Sequence, residues 1–257
     1  MKIAIIGAGV YGTALGGVLV ERGYEVDYYD PFVYDKTLAE VLDGAEMVLL
    51  VAPSGAVPEL VPELPRDLPL IVATKGLLTG RVFEGFADVM VLSGPGFADD
   101  IKAHKLTYLT VTDKRLEEMF GVDYLQFDET ADKLGVLMCG ALKNVYAILA
   151  GYLDLEKGTP EWTEFIDAVV QEMGMVLAVN GAEAKTAELY CGRGDLMLTC
   201  DSPSRNYEFG QMSRKIQGYV TKKTVEGLAA LRRIRAGEIV VPEDAKFLRQ
   251  LMEIMER

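Results

Sequence analysis

Short apolar runs alternate with turn residues along the first half of the chain, and longer apolar runs follow in the second half. Continuous aliphatic and β-branched runs of this length are typical of parallel strands that are covered on both faces. They predict strands at residues 2–6, 24–29, 46–52, 69–73, 88–92 and 105–112. Because helical segments lie between these runs, the pattern predicts an α/β fold with a doubly wound parallel sheet.

After about residue 128 the apolar pattern becomes helical throughout. Residues 130–153 are apolar on nearly every side, which predicts a central buried helix. Further helices are predicted near 160–180, 182–191, 204–215, 222–235 and 242–256. In the last of these, Pro242 suits the first turn, and Glu243 and Asp244 suit the positive end of the helix. The pattern therefore predicts an all-helical domain at 129–257.

A glycine-rich turn directly follows the first predicted strand. Gly7, Gly9 and Gly12 form the pattern G-x-G-x-x-G between a strand and a helix. The first glycine permits the tight turn, the second lets a pyrophosphate approach the backbone, and the third lets the helix pack close to the sheet. The helix start offers free N–H groups to phosphate. This context favours a dinucleotide site over a flexible turn without ligand, and predicts a Rossmann-like dinucleotide-binding domain at 1–128.

Asp30 ends the second predicted strand, where such a fold places the acid that binds the adenosine ribose hydroxyls. A carboxylate there repels a 2′-phosphate and therefore favours NAD, with NADP as the alternative. Asp30-Pro31 is also a common turn dipeptide, so a purely structural role stays open. Open α/β sheets bind ligands at the carboxyl ends of their strands, so the loops at 53–55, 74–76 and 93–97 are expected to line the cofactor cleft.

The charge balance limits the classes of partner. The 257 residues include 39 acidic and 26 basic side chains, which gives a net charge of −13. Such a surface argues against nucleic acid or an anionic membrane as a general partner. An anionic substrate would therefore need a local cationic pocket.

The chain begins directly with a strand, and no apolar run approaches the roughly 20 residues of a membrane span. The three cysteines, Cys139, Cys191 and Cys200, form no C-x-x-C pair, which suits a reducing compartment and no structural zinc. We expect a soluble cytoplasmic protein without a signal peptide. The single histidine, His104, lies in a polar turn and is expected at the surface. An acid–base group is therefore expected to be Lys, Asp, Glu or Tyr, and no metal site is expected.

Lys143 and Asn144 lie inside the long apolar run, one turn after Gly140. A lysine in such a helix is costly unless it faces a cleft or a charged partner. Gly140 would leave space beside its side chain. A lysine that extends out of a partly exposed helix is the alternative.

A second polar cluster follows Gly194. Asp195 and Thr199 are four residues apart, so on a helix they share a face. Ser202-Pro203 resembles an N-cap and first helical residue. Arg205 and Asn206 would then lie near a helix start, where a guanidinium and free N–H groups suit a phosphate. A capped surface helix with a solvated arginine is the alternative.

Together these motifs resemble the NAD(P)-dependent glycerol-3-phosphate dehydrogenases, in family order and over nearly the whole chain. The matching segments are GAGVYGTAL (7–15), ATKGL (73–77), LSGPGFA (92–98), GALKNVYAILAG (140–151), GDLMLTCDSPSRNYEFG (194–210) and VEG (225–227). The resemblance implies a Rossmann-like domain followed by a helical domain. It implies interconversion of dihydroxyacetone phosphate and sn-glycerol 3-phosphate in a cytoplasmic enzyme that supplies phospholipid biosynthesis, and a homodimer.

The resemblance also implies roles for individual residues. Lys143 is expected to be the general acid and base, with Asp195 and Lys75 beside it. The expected substrate-binding residues are Asn144, Thr199, Ser204, Arg205 and Asn206. The expected cofactor-binding residues are Gly7, Gly9, Val10, Tyr11, Gly12, Asp30, Pro53, Lys75, Ser93, Gly94, Arg205 and Glu226.

Two departures from the family pattern are visible. The connection between the second and third predicted strands, Asp30 to Glu46, is short. The family's G-x-N-x-x-A-x-L-x-T-R-G pattern is replaced by Gly158-Thr159-Pro160-Glu161-Trp162-Thr163-Glu164-Phe165. Two alternatives therefore remain: a hydroxyacid dehydrogenase or ketopantoate-type reductase, which lacks the Ser-Arg-Asn run, and a dinucleotide-binding sensor without turnover.

Overall fold

The computed structural model describes residues 1–201 and 204–256, and the chain divides into two units. The first unit comprises Met1–Lys75 and Gly80–Lys133. The second comprises Gly76–Thr79 and Leu134–Arg257. The division after Lys133 lies a few residues beyond the predicted boundary at 128/129.

The first unit is built on a seven-stranded sheet with the order β2-β1-β3-β4-β5-β6-β7. The strands are β1 (Lys2–Ile6), β2 (Glu25–Tyr29), β3 (Met47–Leu50), β4 (Leu70–Val72), β5 (Val89–Ser93), β6 (Thr107–Val111) and β7 (Leu125–Glu129). All neighbouring strands are parallel except β5 and β6. The sheet confirms the predicted fold class, with one antiparallel pair added.

Strand β7 was missed by the sequence analysis. It pairs with β6 alone, at the edge of the sheet. Leu125 is buried and Phe127 half-buried, whereas Gln126 between them is exposed. This alternation over three residues is typical of a half-covered strand and could have revealed β7, although Glu129 departs from it.

Five helices accompany the sheet: α1 (Val10–Glu21), α2 (Leu38–Leu42), α3 (Val57–Leu60), α4 (Ala98–Lys102) and α5 (Lys114–Phe120). Leu15 and Leu19 of α1 are fully buried in a core that also contains Ile3 and Ile5 of β1. Strand β1 pairs with β2 on one side and β3 on the other. The chain therefore reverses its direction of progress across the sheet at β1, and open sheets bind ligands at such a point.

The second unit is helical. Its helices are α6 (Lys133–Leu153), α7 (Pro160–Val179), α8 (Asp195–Thr199), α9 (Arg205–Lys215), α10 (Glu226–Arg235) and α11 (Lys246–Ile254). The helix predicted at 182–191 is instead a 3₁₀ helix, Ala184–Glu188, followed by a π-helix, Tyr190–Gly194. Among the described residues, only α6 is long and apolar enough to cross a membrane, and 94% of its most apolar window is buried inside the protein.

The start of α11 corrects one prediction. The helix begins at Lys246, so Pro242, Glu243 and Asp244 precede it. Its first free N–H groups, those of Phe247 and Leu248, donate to the carboxylate of Glu172 at 2.8 and 2.9 Å. Glu172 lies on α7 and is 2% exposed. A distant buried carboxylate therefore caps the helix, and the local acidic residues do not.

The Glu172 carboxylate has a third buried donor. The Tyr146 hydroxyl of α6 donates to Glu172 Oε1 at 3.1 Å. Burial raises the pKa of Tyr146 well above its usual value, and the neighbouring Glu172 carboxylate raises it further. The phenol therefore stays protonated and remains a donor.

Candidate active site

The glycine turn after β1 leaves room for a phosphate. A side chain at Gly7 (φ +111°) would come within 2.7 Å of the Ala52 nitrogen, and one at Gly12 would overlap the Gly7 carbonyl oxygen. At Gly9, which is the N-cap of α1, a Cβ atom would meet no atom within 4 Å. Val10 opens the helix and is 70% exposed. Backbone atoms crowd the turn at Gly7 and Gly12, whereas the space at Gly9 is open. This arrangement fits a pyrophosphate at the start of α1.

Asp30 joins this turn to the end of β2. Its Oδ2 atom accepts the Ala8 N–H at 3.0 Å, and its Oδ1 atom accepts the Phe32 N–H at 3.0 Å. The predicted turn role is therefore present. Because a carboxylate oxygen accepts more than one hydrogen bond, the same side chain retains capacity for ribose hydroxyls.

Lys75 connects two predicted cofactor-binding segments. Its ammonium donates to the Gly94 carbonyl at 3.0 Å and lies 5.3 Å from the centre of the Tyr11 ring. Ser93 ends β5 and is buried, and its Oγ atom has no hydrogen-bond partner among the described residues. Pro53 is exposed just beyond β3. The first unit thus collects a cation, an aromatic ring and a buried hydroxyl beside the carboxyl ends of its strands.

A buried ion pair is the chemical centre of the second unit. The Lys143 ammonium lies 2.6 Å from Asp195 Oδ1, and the two residues are 5% and 1% exposed. It also donates to Thr199 Oγ1 at 3.0 Å. The alternative of a solvent-exposed lysine is therefore wrong. Removing one partner of such a pair leaves an uncompensated buried charge, which typically costs about 3–5 kcal/mol.

Local structure explains how Asp195 and Thr199 meet this lysine. Asp195 begins α8 directly after the π-helix, and Thr199 ends α8 one turn later on the same face. The Thr199 hydroxyl donates to the Asp195 carbonyl at 2.6 Å, which fixes its orientation toward the ammonium. The predicted grouping of these three side chains is present in the structure.

Asn144 and Asn206 form a series of hydrogen bonds that links three helices. The Asn206 amide donates to Asn144 Oδ1 at 2.9 Å, and Asn206 Oδ1 accepts the Gly227 N–H at 3.0 Å. The Asn144 amide donates to the Gly140 carbonyl at 3.1 Å. Each amide has two N–H groups, so each retains a donor after these bonds. Both side chains hold α6, α9 and α10 together, whatever else they bind.

Arg205 stands apart from these bonds. Ser204 caps α9, and its Oγ atom accepts the Tyr207 N–H at 3.4 Å. The cap predicted at Ser202, with Pro203 after it, lies outside the described residues. Arg205 is the first residue of α9; it is exposed and makes no side-chain hydrogen bond or ion pair with any described residue. Its guanidinium has no partner among the described residues and can therefore bind an anion. Glu226 holds the matching first position of α10.

Comparison with known proteins decides the family. Residues 132–256 match the family described as NAD-dependent glycerol-3-phosphate dehydrogenase C-terminus. A glycerol-3-phosphate dehydrogenase (NAD(P)+) of Citrifermentans bemidjiense is 31% identical over an alignment of 259 positions, which covers 81% of this chain and 77% of the relative. The chain belongs to the glycerol-3-phosphate dehydrogenase family.

Solved structures agree with this membership. A glycerol-3-phosphate dehydrogenase from Coxiella burnetii has a TM-score of 0.80 and 26% identity, and the match covers 100% of this chain and 99% of that one. A ketopantoate reductase from Ralstonia eutropha, with 17% identity, a TM-score of 0.56 and 100% and 99% coverage, shares the fold. The predicted family is confirmed.

Sequence reasoning missed Trp162, a residue that supports the lysine cluster of this family member. Trp162 is the only tryptophan and is 5% exposed. Its indole N–H donates to the Cys200 carbonyl at 3.0 Å, and Cys200 is the C-cap of α8. Trp162 stands in the segment that departs from the family pattern, so that departure was the available signal.

The Cys200 thiol, at the C-terminal end of α8, is influenced by the Lys143 charge. Burial raises the pKa of this thiol strongly, whereas the positive charge of Lys143 lowers it.

His104 is exposed, as expected. Within residues 1–201 and 204–256, no three His, Cys, Asp or Glu side chains are grouped so that they could hold a metal ion.

Proposed function

We propose that this chain interconverts dihydroxyacetone phosphate and sn-glycerol 3-phosphate with NAD(P)(H), and that Lys143 is its general acid and base. The observation that carries the proposal is the buried ion pair of Lys143 with Asp195, which Thr199 completes. A buried charge pair is costly to the fold, and groups of this kind are concentrated at functional sites.

The chemistry of the ketone requires a proton donor at one atom. When bound, reduced nicotinamide supplies a hydride to C2 of the ketone. Lys143 Nζ gives a proton to the C2 oxygen as negative charge develops there, and takes it back in the reverse direction. Asp195 stabilises the ammonium form, and Thr199 orients it.

The phosphate of the substrate requires a cationic contact. We assign Arg205 to it, because its planar guanidinium can donate to two phosphate oxygens and no described residue binds that group. The remaining N–H groups of Asn206 and Asn144 and the hydroxyl of Ser204 are further donors. A net charge of −13 gives no long-range attraction for an anion, so these close contacts have to supply the affinity.

Cofactor binding is assigned to both the glycine turn and the strand ends. In the first unit, the proposed residues are Gly7, Gly9, Val10, Tyr11, Gly12, Asp30, Pro53, Lys75, Ser93 and Gly94. In the second unit, Glu226 is proposed, and Arg205 in addition to its role toward phosphate. We further propose a cytoplasmic homodimer. The acidic surface and the burial of α6 support the absence of nucleic-acid or membrane partners.

One assay tests this function against its alternatives. Purified protein is mixed with NADH and, separately, with dihydroxyacetone phosphate, unphosphorylated dihydroxyacetone or ketopantoate, and loss of NADH absorbance is followed. We expect rapid oxidation with the phosphorylated ketone alone. Faster turnover of ketopantoate would favour the reductase alternative, and NADH binding without turnover of any ketone would favour a sensor.

The Asp30 carboxylate is expected to make the enzyme prefer NADH over NADPH. A 2′-phosphate beside this carboxylate would place like charges within hydrogen-bonding distance. Asp30→Asn is expected to weaken NADH binding. It should also lower the ratio of kcat/KM with NADH to kcat/KM with NADPH. The asparagine can still accept the Ala8 or Phe32 N–H, so it is the conservative variant. A wild-type preference for NADPH would leave Asp30 with the turn role only.

Trp162→Phe is expected to lower kcat by about tenfold while the KM for NADH stays unchanged. The variant keeps an aromatic ring but leaves the buried Cys200 carbonyl without its donor. The C-terminal end of α8, and Thr199 with it, would then shift, and a displacement of about 1 Å can cost roughly 10²-fold. Thermal unfolding curves of both proteins show whether each is folded at the assay temperature. An unchanged kcat would mean that the indole bond does not position α8.

A further inference from the structure

A cavity of about 670 Å³ lies within the helical unit. Its walls come from α9, from α10 and from the loop at 216–225 that joins them, with the ends of α6 and α11 beside them. None of the residues assigned above to substrate or cofactor lines it. Its volume is in the range of pockets that hold small organic molecules.

The lining of this cavity has the opposite charge to the chain as a whole. Four cationic side chains line it: Arg214, Lys223, Arg232 and Arg235. None of the described residues that line it is acidic, although the chain carries 39 acidic residues against 26 basic ones. A cationic hollow on an acidic protein indicates an anionic ligand.

Three of these cations have weak partners outside the lining. The ion pairs are Lys223–Glu208 at 3.4 Å, Arg214–Asp154 at 3.7 Å and Arg235–Glu256 at 3.8 Å. Arg214 and Arg235 also each donate to one main-chain carbonyl. Exposed ion pairs of this kind contribute little to stability and are easily exchanged for another anion. Arg232 is exposed and makes no side-chain hydrogen bond or ion pair with any described residue.

The remaining wall is largely apolar. The rings of Phe209 and Tyr219 lie 5.6 Å apart, and Val220, Leu228 and Ile254 extend the surface. Val220 is 85% exposed and is therefore accessible to a ligand. The buried Oγ atom of Ser213 also belongs to the lining and has no hydrogen-bond partner among the described residues. An apolar wall with a cationic rim and an unused hydroxyl fits a molecule with two chemically different ends.

We propose that this cavity binds an anionic amphiphile with a phosphate head and a hydrocarbon body. The guanidinium groups suit phosphate because each can donate two parallel hydrogen bonds to its oxygens. The aliphatic and aromatic side chains bury the hydrocarbon. Such a ligand could be a free single-chain phosphate or a lipid in a bilayer. The experiment below distinguishes these two sources.

The test uses decyl phosphate below its micelle concentration, titrated calorimetrically into the full chain with NADH and dihydroxyacetone phosphate present in separate runs. We expect one molecule per chain, undisplaced by either compound. Inorganic phosphate and decanol are each expected to bind at least about tenfold more weakly, because each lacks one of the two ends. Sedimentation with phosphatidic acid vesicles, compared with phosphatidylcholine vesicles, separates the bilayer source from the free one.

Two variants and a matched control make the result decisive. Arg232→Gln is expected to weaken the binding of decyl phosphate at least about tenfold. Val220→Glu places a carboxylate in the cavity from an exposed position and is expected to abolish binding. Arg81→Gln removes an exposed arginine outside the cavity and changes the net charge equally, so binding should be retained. The proposal is overturned by no binding to the unmodified chain, by displacement with dihydroxyacetone phosphate, or by equal binding to Arg232→Gln and Arg81→Gln.

Discussion

Lys143→Ala is expected to lower kcat by at least about 10²–10⁴-fold, the usual contribution of general acid–base catalysis. The variant removes the proton donor for the C2 oxygen, while the glycine turn at Gly7, Gly9 and Gly12 is untouched. NADH affinity should therefore change little. Steady-state rates with dihydroxyacetone phosphate and NADH titration by fluorescence measure the two effects separately.

The alanine variant also leaves the carboxylate of Asp195 buried without its partner, which is expected to lower stability. Lys143→Arg is the control for this effect, since it keeps the positive charge. Arginine cannot release a proton at neutral pH, so turnover should stay low even where stability recovers. Turnover near that of the unmodified enzyme in either variant would refute the role of Lys143.

Arg205→Ala is expected to cost on the order of 2–5 kcal/mol in kcat/KM for dihydroxyacetone phosphate. Arg205→Lys should cost less, because it keeps the charge and loses the planar fork. Since the guanidinium makes no side-chain bond with the described residues, neither variant should change the midpoint of thermal unfolding. Rates over a range of substrate concentrations give the change in KM.

Unphosphorylated dihydroxyacetone is the matched substrate control for Arg205. It should be a very poor substrate of the unmodified enzyme, and the two variants should use it equally poorly, because it lacks the group that Arg205 binds. Arg81→Ala removes another exposed arginine and should leave both ketones unaffected. Equal use of both ketones by the unmodified enzyme would reject the phosphate site and reopen the hydroxyacid alternative.

Features fixed by neighbouring residues could be predicted from the sequence. The glycine turn depends on three glycines between a strand and a helix, and all of its determinants lie within a few residues. The meeting of Asp195 with Thr199 follows from helical spacing. The cost of burying Lys143 indicated that it needed a partner, and the resemblance to the family then suggested Asp195.

Features fixed across the chain could not be predicted in the same way. The start of α11 depends on Glu172, which is 75 residues before Phe247. The bond from Trp162 to Cys200 spans 38 residues. Strand β7 was missed for a different reason: only Leu125 and Phe127 are apolar in it, whereas β1, β3, β4 and β5 contain continuous apolar runs.

We expect the Glu172 cap to make α11 one of the most slowly opening parts of the protein. If α11 detached alone, the buried Glu172 carboxylate would lose two of its three donors and keep only the Tyr146 hydroxyl. We therefore expect the Phe247 and Leu248 amides to exchange with deuterium as slowly as amides of α6. Glu172→Ala should accelerate exchange in both helices, whereas Glu164→Ala, at an exposed position of α7, should not. A carboxylate in the interior is thus expected to protect α11 from fraying.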